Sequence, residues 1–152
     1  MVKINWSHLP ANPEAAICIP ITVEADEQWS FVQNKSHQRW LWVVLGHHTH
    51  EVIAYTFGSR KEAVFKRLMP LLKPFPIHLW FTDGLQAYQK ILDCEKHKIG
   101  KRNTQKIERF FLTLRTRIKR LARRTICFSK SDCMHDAVIG LFINRYHFHR
   151  KV

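Results

Sequence analysis

Apolar residues alternate through Ile21–Phe31, with Ile21, Val23, Ala25, Trp29 and Phe31 at odd positions. That is the period of a strand with one face against a core, and it leaves Asp26 on the opposite face. Arg39–Leu45 is a β-branched and aromatic run that predicts a buried strand. Glu51–Phe57 predicts a third, separated from it by Gly46 and a polar stretch. Three strands in succession with short joins predict an antiparallel meander. The period then lengthens. Ser59–Leu72 carries Ala63, Val64, Leu68, Leu71 and Leu72 at helical spacing and stops before Pro74. Ile77–Phe81 predicts a fourth strand, ended by Thr82-Asp83-Gly84. Leu85–Leu92 predicts a short helix and His97–Ile99 a short fifth strand. A long helix follows, with Ile107, Phe110, Phe111, Leu114, Ile118 and Leu121 on one stripe. After a break at Thr125–Ser129, Ser131–Phe148 predicts the last helix, with Ser131 or Asp132 as its cap. Met1–Pro20 holds three prolines and little periodicity, and reads as an irregular arm before one domain spanning residues 21–152.

The predicted order is β-β-β-α-β-α-(β)-α-α. It belongs to the mixed α/β (α+β) class: three antiparallel strands plus parallel strand(s), flanked by helices. By order alone this resembles the ribonuclease-H-like fold.

Charge narrows the partners. The 152-residue chain carries 25 Lys and Arg against 12 Asp and Glu, a formal net charge of +13. A charge of that size repels itself and calls for an anionic partner, nucleic acid first and an anionic membrane surface second. The longest apolar run, Trp40–Leu45, is far short of the roughly 20 residues a bilayer requires. Ala15–Ile21 is short, contains Pro20 and lacks the features of a signal peptide. The four cysteines (Cys18, Cys94, Cys127, Cys133) form no Cys-x-x-Cys pair and read as reduced thiols in a cytoplasmic protein.

In so basic a chain, acids are informative. From Lys98 to Arg124 there are eleven Lys or Arg and one acid, Glu108. Glu108 could be an ion-pair partner, or it could hold a metal ion against phosphates docked on those cations. Asp83 closes a strand, where Asp-Gly is by itself a turn signal. Asp26 sits mid-strand, where Asp is depleted, and either solvent exposure or metal ligation would account for it. If the first and fourth strands are neighbours, Asp26 and Asp83 meet at one edge, and a helix across that edge can deliver Glu108. Carboxylates suit hard divalent ions, and two such ions can clamp the oxygens of a phosphodiester.

The segments Ala25-Asp26-Glu27-Gln28-Trp29, Thr82-Asp83-Gly84 and Gln105-Lys106-Ile107-Glu108-Arg109 resemble the three acidic blocks of DDE transposases. More narrowly, the chain is similar to the InsB-type transposases of the bacterial insertion-sequence-one family. Further matches are Ser36–Leu41, Lys101–Gln105, Phe128–Ser131 and His135–Gly140, so the resemblance runs from about Met1 to His149. It implies a ribonuclease-H-like fold, two Mg²⁺ or Mn²⁺ ions on Asp26, Asp83 and Glu108 as catalytic acids, and DNA strand cleavage followed by strand transfer. It also implies as partners the insertion-sequence ends and target DNA, a homo-oligomer assembled on DNA, and an upstream DNA-binding region supplied by fusion. The location it implies is cytoplasmic and nucleoid-associated. DDE enzymes often carry Lys or Arg seven residues after the Glu, which is Arg115 here. Two helical turns set Arg115 on the face of Glu108. Lys101, Arg102, Arg109, Arg117, Lys119, Arg120, Arg123 and Arg124 complete the expected DNA contacts.

A non-catalytic DNA-binding regulator, or a truncated inhibitor of transposition, is the alternative; it has no reason to keep three acids. Glu24 and Glu27 flank Asp26, and either becomes the ligand if the strand register slips by one residue. His47, His48 and His50 read as a solvated hairpin loop, and His147 and His149 likewise as surface residues. Trp29, Trp40, Trp42, Trp80 and Phe81 lie on predicted strands, where core packing is the expectation ahead of base stacking.

Overall fold

The computed structural model describes residues 2–4, 19–122, 124 and 126–148. Six strands form one sheet: β1 (Val2–Ile4), β2 (Ile21–Val32), β3 (Asn34–Gly46), β4 (Val52–Gly58), β5 (Ile77–Thr82) and β6 (His97–Ile99). Their order across the sheet is β1-β4-β3-β2-β5-β6. The meander is as expected: β2 pairs antiparallel with β3, and β3 with β4. β5 then joins β2 in parallel and β6 joins β5 in parallel. This is the mixed sheet of a ribonuclease-H-like fold. The irregular reading of the N-terminal arm missed β1, which pairs antiparallel with β4 from Val2–Thr56 to Ile4–Ala54. Three residues are too few to show alternation, so only the partner strand reveals it.

Both faces of the sheet are covered. Val23, Ala25, Trp42, Val44 and Ala54 pack against α1 (Glu62–Lys66), α2 (Met69–Leu72) and α3 (Gln86–Ile91), through Phe65, Leu68, Leu72 and Tyr88. Leu41, Val43, Leu45, Tyr55 and Phe57 pack against α4 (Gln105–Arg117) and α5 (Asp132–Tyr146), through Ile107, Phe111, Leu114, Ile139 and Ile143. Each large apolar side chain buried this way contributes about 1.5–3 kcal/mol. The half-solvated strand expected at 21–31 is therefore corrected, since its even positions Thr22, Glu24, Gln28 and Ser30 are buried as well. Parallel pairing to β5 explains this, because sheets built with helical crossovers are covered on both sides.

Two helices end differently from expectation. Ser59–Leu72 divides into α1 and α2, because Pro70 lies in the first turn of α2 and cannot donate the bond that would continue α1. The long helix stops at Arg117, where Ile118 turns extended. Ile118 and Leu121 still bury their side chains, from a short 3-10 turn at Lys119–Leu121. α5 begins as expected: the Ser131 hydroxyl accepts from the Met134 N–H at 3.3 Å.

Candidate active site

The site lies where β2 outruns β5. Their pairing ends at Ala25–Thr82, so the next residues, Asp26 and Asp83, stand side by side just past the last rung. β2 continues with that edge open. A side chain from either face of β2 can then curl round the edge, which interior strand positions forbid. Carboxylate oxygens of Asp26, Glu27 and Asp83 all lie within 4.8 Å of one another. Glu27 therefore joins the cluster without any slip in register; the free edge brings it there. Its Oε2 accepts from the Tyr88 hydroxyl at 2.8 Å and its Oε1 from Arg60 Nε at 3.0 Å.

These acids crowd one another. Burial pushes the Asp26 carboxyl up to about 7, and the charges of Glu27, Asp83 and Glu108 add to the rise, although the Glu27 N–H opposes it. Burial also raises Glu27, against the lowering pull of Tyr88 and Arg60. Tyr88 is raised well above its ordinary value, first by burial and then by Glu27 and Asp26. The donors are all carboxylate oxygens and short of positive charge, which is the chemistry that suits a hard divalent cation. Asp83 Oδ1 also accepts from the Leu85 N–H at 3.0 Å, fixing the turn that presents it.

Glu108 is exposed on the first turn of α4 and lines the same groove as Asp26, outside the 4.8 Å set. What sets its position is Glu24. That side chain is fully buried; its Oε2 accepts from the Ile107 N–H at 2.9 Å and its Oε1 contacts His47 Nδ1 at 2.6 Å. Lys106 Nζ bonds the His47 carbonyl alongside. A strand carboxylate thus caps α4, satisfies a donor at the helix start, and pins the residue next to Glu108. Glu24 is not part of the acid cluster. Only His48 and His50 of the histidine loop are exposed, and His47 is tied into the fold. The Asp26, Glu27 and Asp83 group is the only potential metal cluster among the described residues.

A groove of about 800 Å³ runs from the acids along the open edge, lined by Asp26, Glu27, Trp29, Glu108, Arg115 and Arg120, with Lys35 and Arg124 also on its walls. Arg115 falls on the same α4 face as Glu108, as the seven-residue spacing predicts. Arg117 lies nine residues after Glu108, roughly opposite it on the helix. It stacks over Tyr146 at 5.8 Å and, with Lys119, lines a separate hollow. Lys101, Arg102, Arg109 and Lys119 are exposed. Arg123, Cys18 and His149 lie outside the described residues. His147 stacks edge-on against Phe110 at 5.0 Å. Cys94, Cys127 and Cys133 are exposed, and Cys94 and Cys133 are free thiols. Core packing holds for Trp42 and Trp80, and Trp40 and Phe81 are partly buried. Trp29 overturns it, being 41% exposed on the groove wall.

The sheet order and covered faces place the chain among ribonuclease-H-like α/β proteins. It belongs to the IS1 transposase family, whose match spans residues 17–149. It is 50% identical over 126 residues to "Insertion element iso-IS1n protein InsB" of Shigella dysenteriae, covering 83% of this chain and 96% of that one. It is 44% identical over 128 residues to "Insertion element IS1 protein InsB" of Shigella sonnei, covering 84% and 98%. The same identity and length relate it to "Insertion element IS1 4 protein InsB" of Escherichia coli (strain K12), covering 84% and 77%. DNA is the substrate class that a transposase implies. No helix among the described residues is long and apolar enough to cross a membrane.

Proposed function

We propose that the chain carries the DDE catalytic site of a transposase, cutting DNA at insertion-sequence ends and joining the freed strand to target DNA. The observation that supports this most directly is the convergence of Asp26, Asp83 and Glu27 oxygens at the open edge of β2, where Asp26 and Glu27 share one groove with Glu108 and Arg115. Asp26, Asp83 and Glu108 would hold Mg²⁺ or Mn²⁺, two ions in all. Bound there, the ions supply positive charge against the charge developing on the attacking and leaving oxygens of a phosphodiester.

The chain's own groups do the rest. Arg115 holds phosphate beside the acids, and Arg120 and Arg124 continue the track. Lys101, Arg102, Arg109, Arg117, Lys119 and Arg123 add phosphate contacts further out. Arg60 and Tyr88 fix the Glu27 side chain and keep the third carboxylate of the cluster in place. Glu24 holds the start of α4, and so Glu108, against the sheet.

The test joins the chain to the upstream DNA-binding region that its family resemblance implies, and supplies end DNA with Mg²⁺ or Mn²⁺. Asp83→Asn and Glu108→Gln should each lower strand cleavage about a thousandfold or more, with DNA affinity unchanged or slightly higher. Arg115→Ala should weaken both binding and turnover. Cleavage at the parental rate in both acid variants would refute the mechanism. A parental protein that binds DNA and never cuts it would favour the regulator.

A further inference from the structure

Between the last β2–β5 rung at Ala25–Thr82 and the isolated bridge Val32–Ser129, no strand pairs with the outer edge of β2 among the described residues. The groove occupies that gap, and its walls are of two kinds. One is aromatic. Trp29 is 41% exposed; its ring lies 5.8 Å from Phe31, tilted by 38°, and Phe31 lies 5.9 Å from Phe128, tilted by 35°. The other is cationic: Lys35, Arg115, Arg120 and Arg124 line the groove and make no ion pair with a carboxylate among the described residues. A tryptophan left open to water in the middle of a strand forgoes burial that the fold could otherwise use. Aromatic faces along a cationic track are the recurring means of holding unpaired nucleic acid, because every base has a π-face and every nucleotide a phosphate. Trp29 stands three residues from Asp26, about 10 Å along the strand. A duplex offers a base face to such a ring only where a nucleotide leaves the stack.

We propose that Trp29, backed by Phe31, stacks on one unpaired base of the DNA strand that reaches the acids, with neighbouring phosphates on Arg115, Arg120 and Arg124. The identity of the ligand rests on the phosphoryl-transfer reading above; the site itself rests on the groove.

The test compares the affinity of the chain for a single-stranded 12-nucleotide oligothymidylate and for a fully abasic strand of the same length and charge. The parental chain should prefer the strand with bases by roughly tenfold or more. Trp29→Ala should remove most of that preference, and Trp29→Phe should keep most of it. Arg120→Gln should weaken both strands alike. Equal binding of the two strands by the parental chain would overturn the proposal, as would an undiminished preference in Trp29→Ala. A protein that keeps the Trp29-dependent preference but never cuts DNA with Mg²⁺ or Mn²⁺ present retains the base site and loses the phosphoryl-transfer reading. One that cuts DNA and shows no preference does the reverse.

Discussion

Two of the polar clusters along strand β2 are built on opposite terms. At its far end, Ser30 donates to the Arg39 carbonyl at 2.6 Å, which uses its only proton. The 2.9 Å contact to His135 therefore has the ring Nε2–H donating to Ser30. His135 Nδ1 then accepts from Ser129 at 2.8 Å. The ring is fully buried, neutral and paired on both nitrogens, and burial holds its pKa below the ordinary value. Near the middle of the same strand, Asp26 is packed beside two other carboxylates and its pKa rises to about 7. One knot is satisfied internally and ties α5 and the Ser129 loop to the sheet. The other is left short of positive charge. Uncompensated charge in a cleft points to a ligand, while a closed hydrogen-bond network points to architecture.

Four experiments press on that contrast. The largest effect belongs to Glu24, a buried acid that is satisfied like His135. Glu24→Ala strands the Ile107 N–H and His47, and should destabilise the chain by about 3–5 kcal/mol in urea unfolding. A loss under 1 kcal/mol would mean that α4 does not depend on this cap. His135→Ala leaves two buried hydroxyls short of a partner and a cavity behind, and should cost about 2–3 kcal/mol by the same measurement.

Asp26→Asn should act in the opposite direction. The folded-state pKa lies above the unfolded one, so the penalty of ionising Asp26 is absent at low pH and complete above about 7. The variant should therefore be more stable than the parent by about 1–2 kcal/mol at pH 8 without metal, after allowance for partial solvent screening. The gain should fade as pH drops toward 4. Mg²⁺ should raise the Tm of the parent and leave Asp26→Asn nearly unmoved. A destabilised Asp26→Asn at pH 8 would show the cluster to be structural.

The smallest effect is the pH response of His135. Its folded pKa is lowered, so its contribution is intact above about 6.5 and is lost as pH falls below that value. His135→Gln should flatten this part of the stability profile. An unchanged slope between pH 7 and 5 would mean that the ring is not held neutral.

The alternation at 21–31, the helical stripes of α4 and α5, the excess of basic residues and the three acidic blocks were all legible in the sequence, because each is a local pattern or a match of residue types. Asp26, Asp83 and Arg115 could be picked out on those grounds, and the Glu108–Arg115 spacing already set both on one helix face. Other features depended on which element ends beside which. Glu24, Asp26 and Glu27 are three acids within four residues of one strand, and nothing in their order tells them apart. The stop of β5 at Thr82 frees the edge that gathers Asp26, Glu27 and Asp83, and the approach of α4 turns Glu24 into a cap. The same open edge leaves Trp29 in the groove, although its place in the alternation predicts a core residue. Periodicity is a property of the chain alone, whereas the burial and charge environment of a side chain depend on neighbours distant in sequence, which only the assembled sheet supplies.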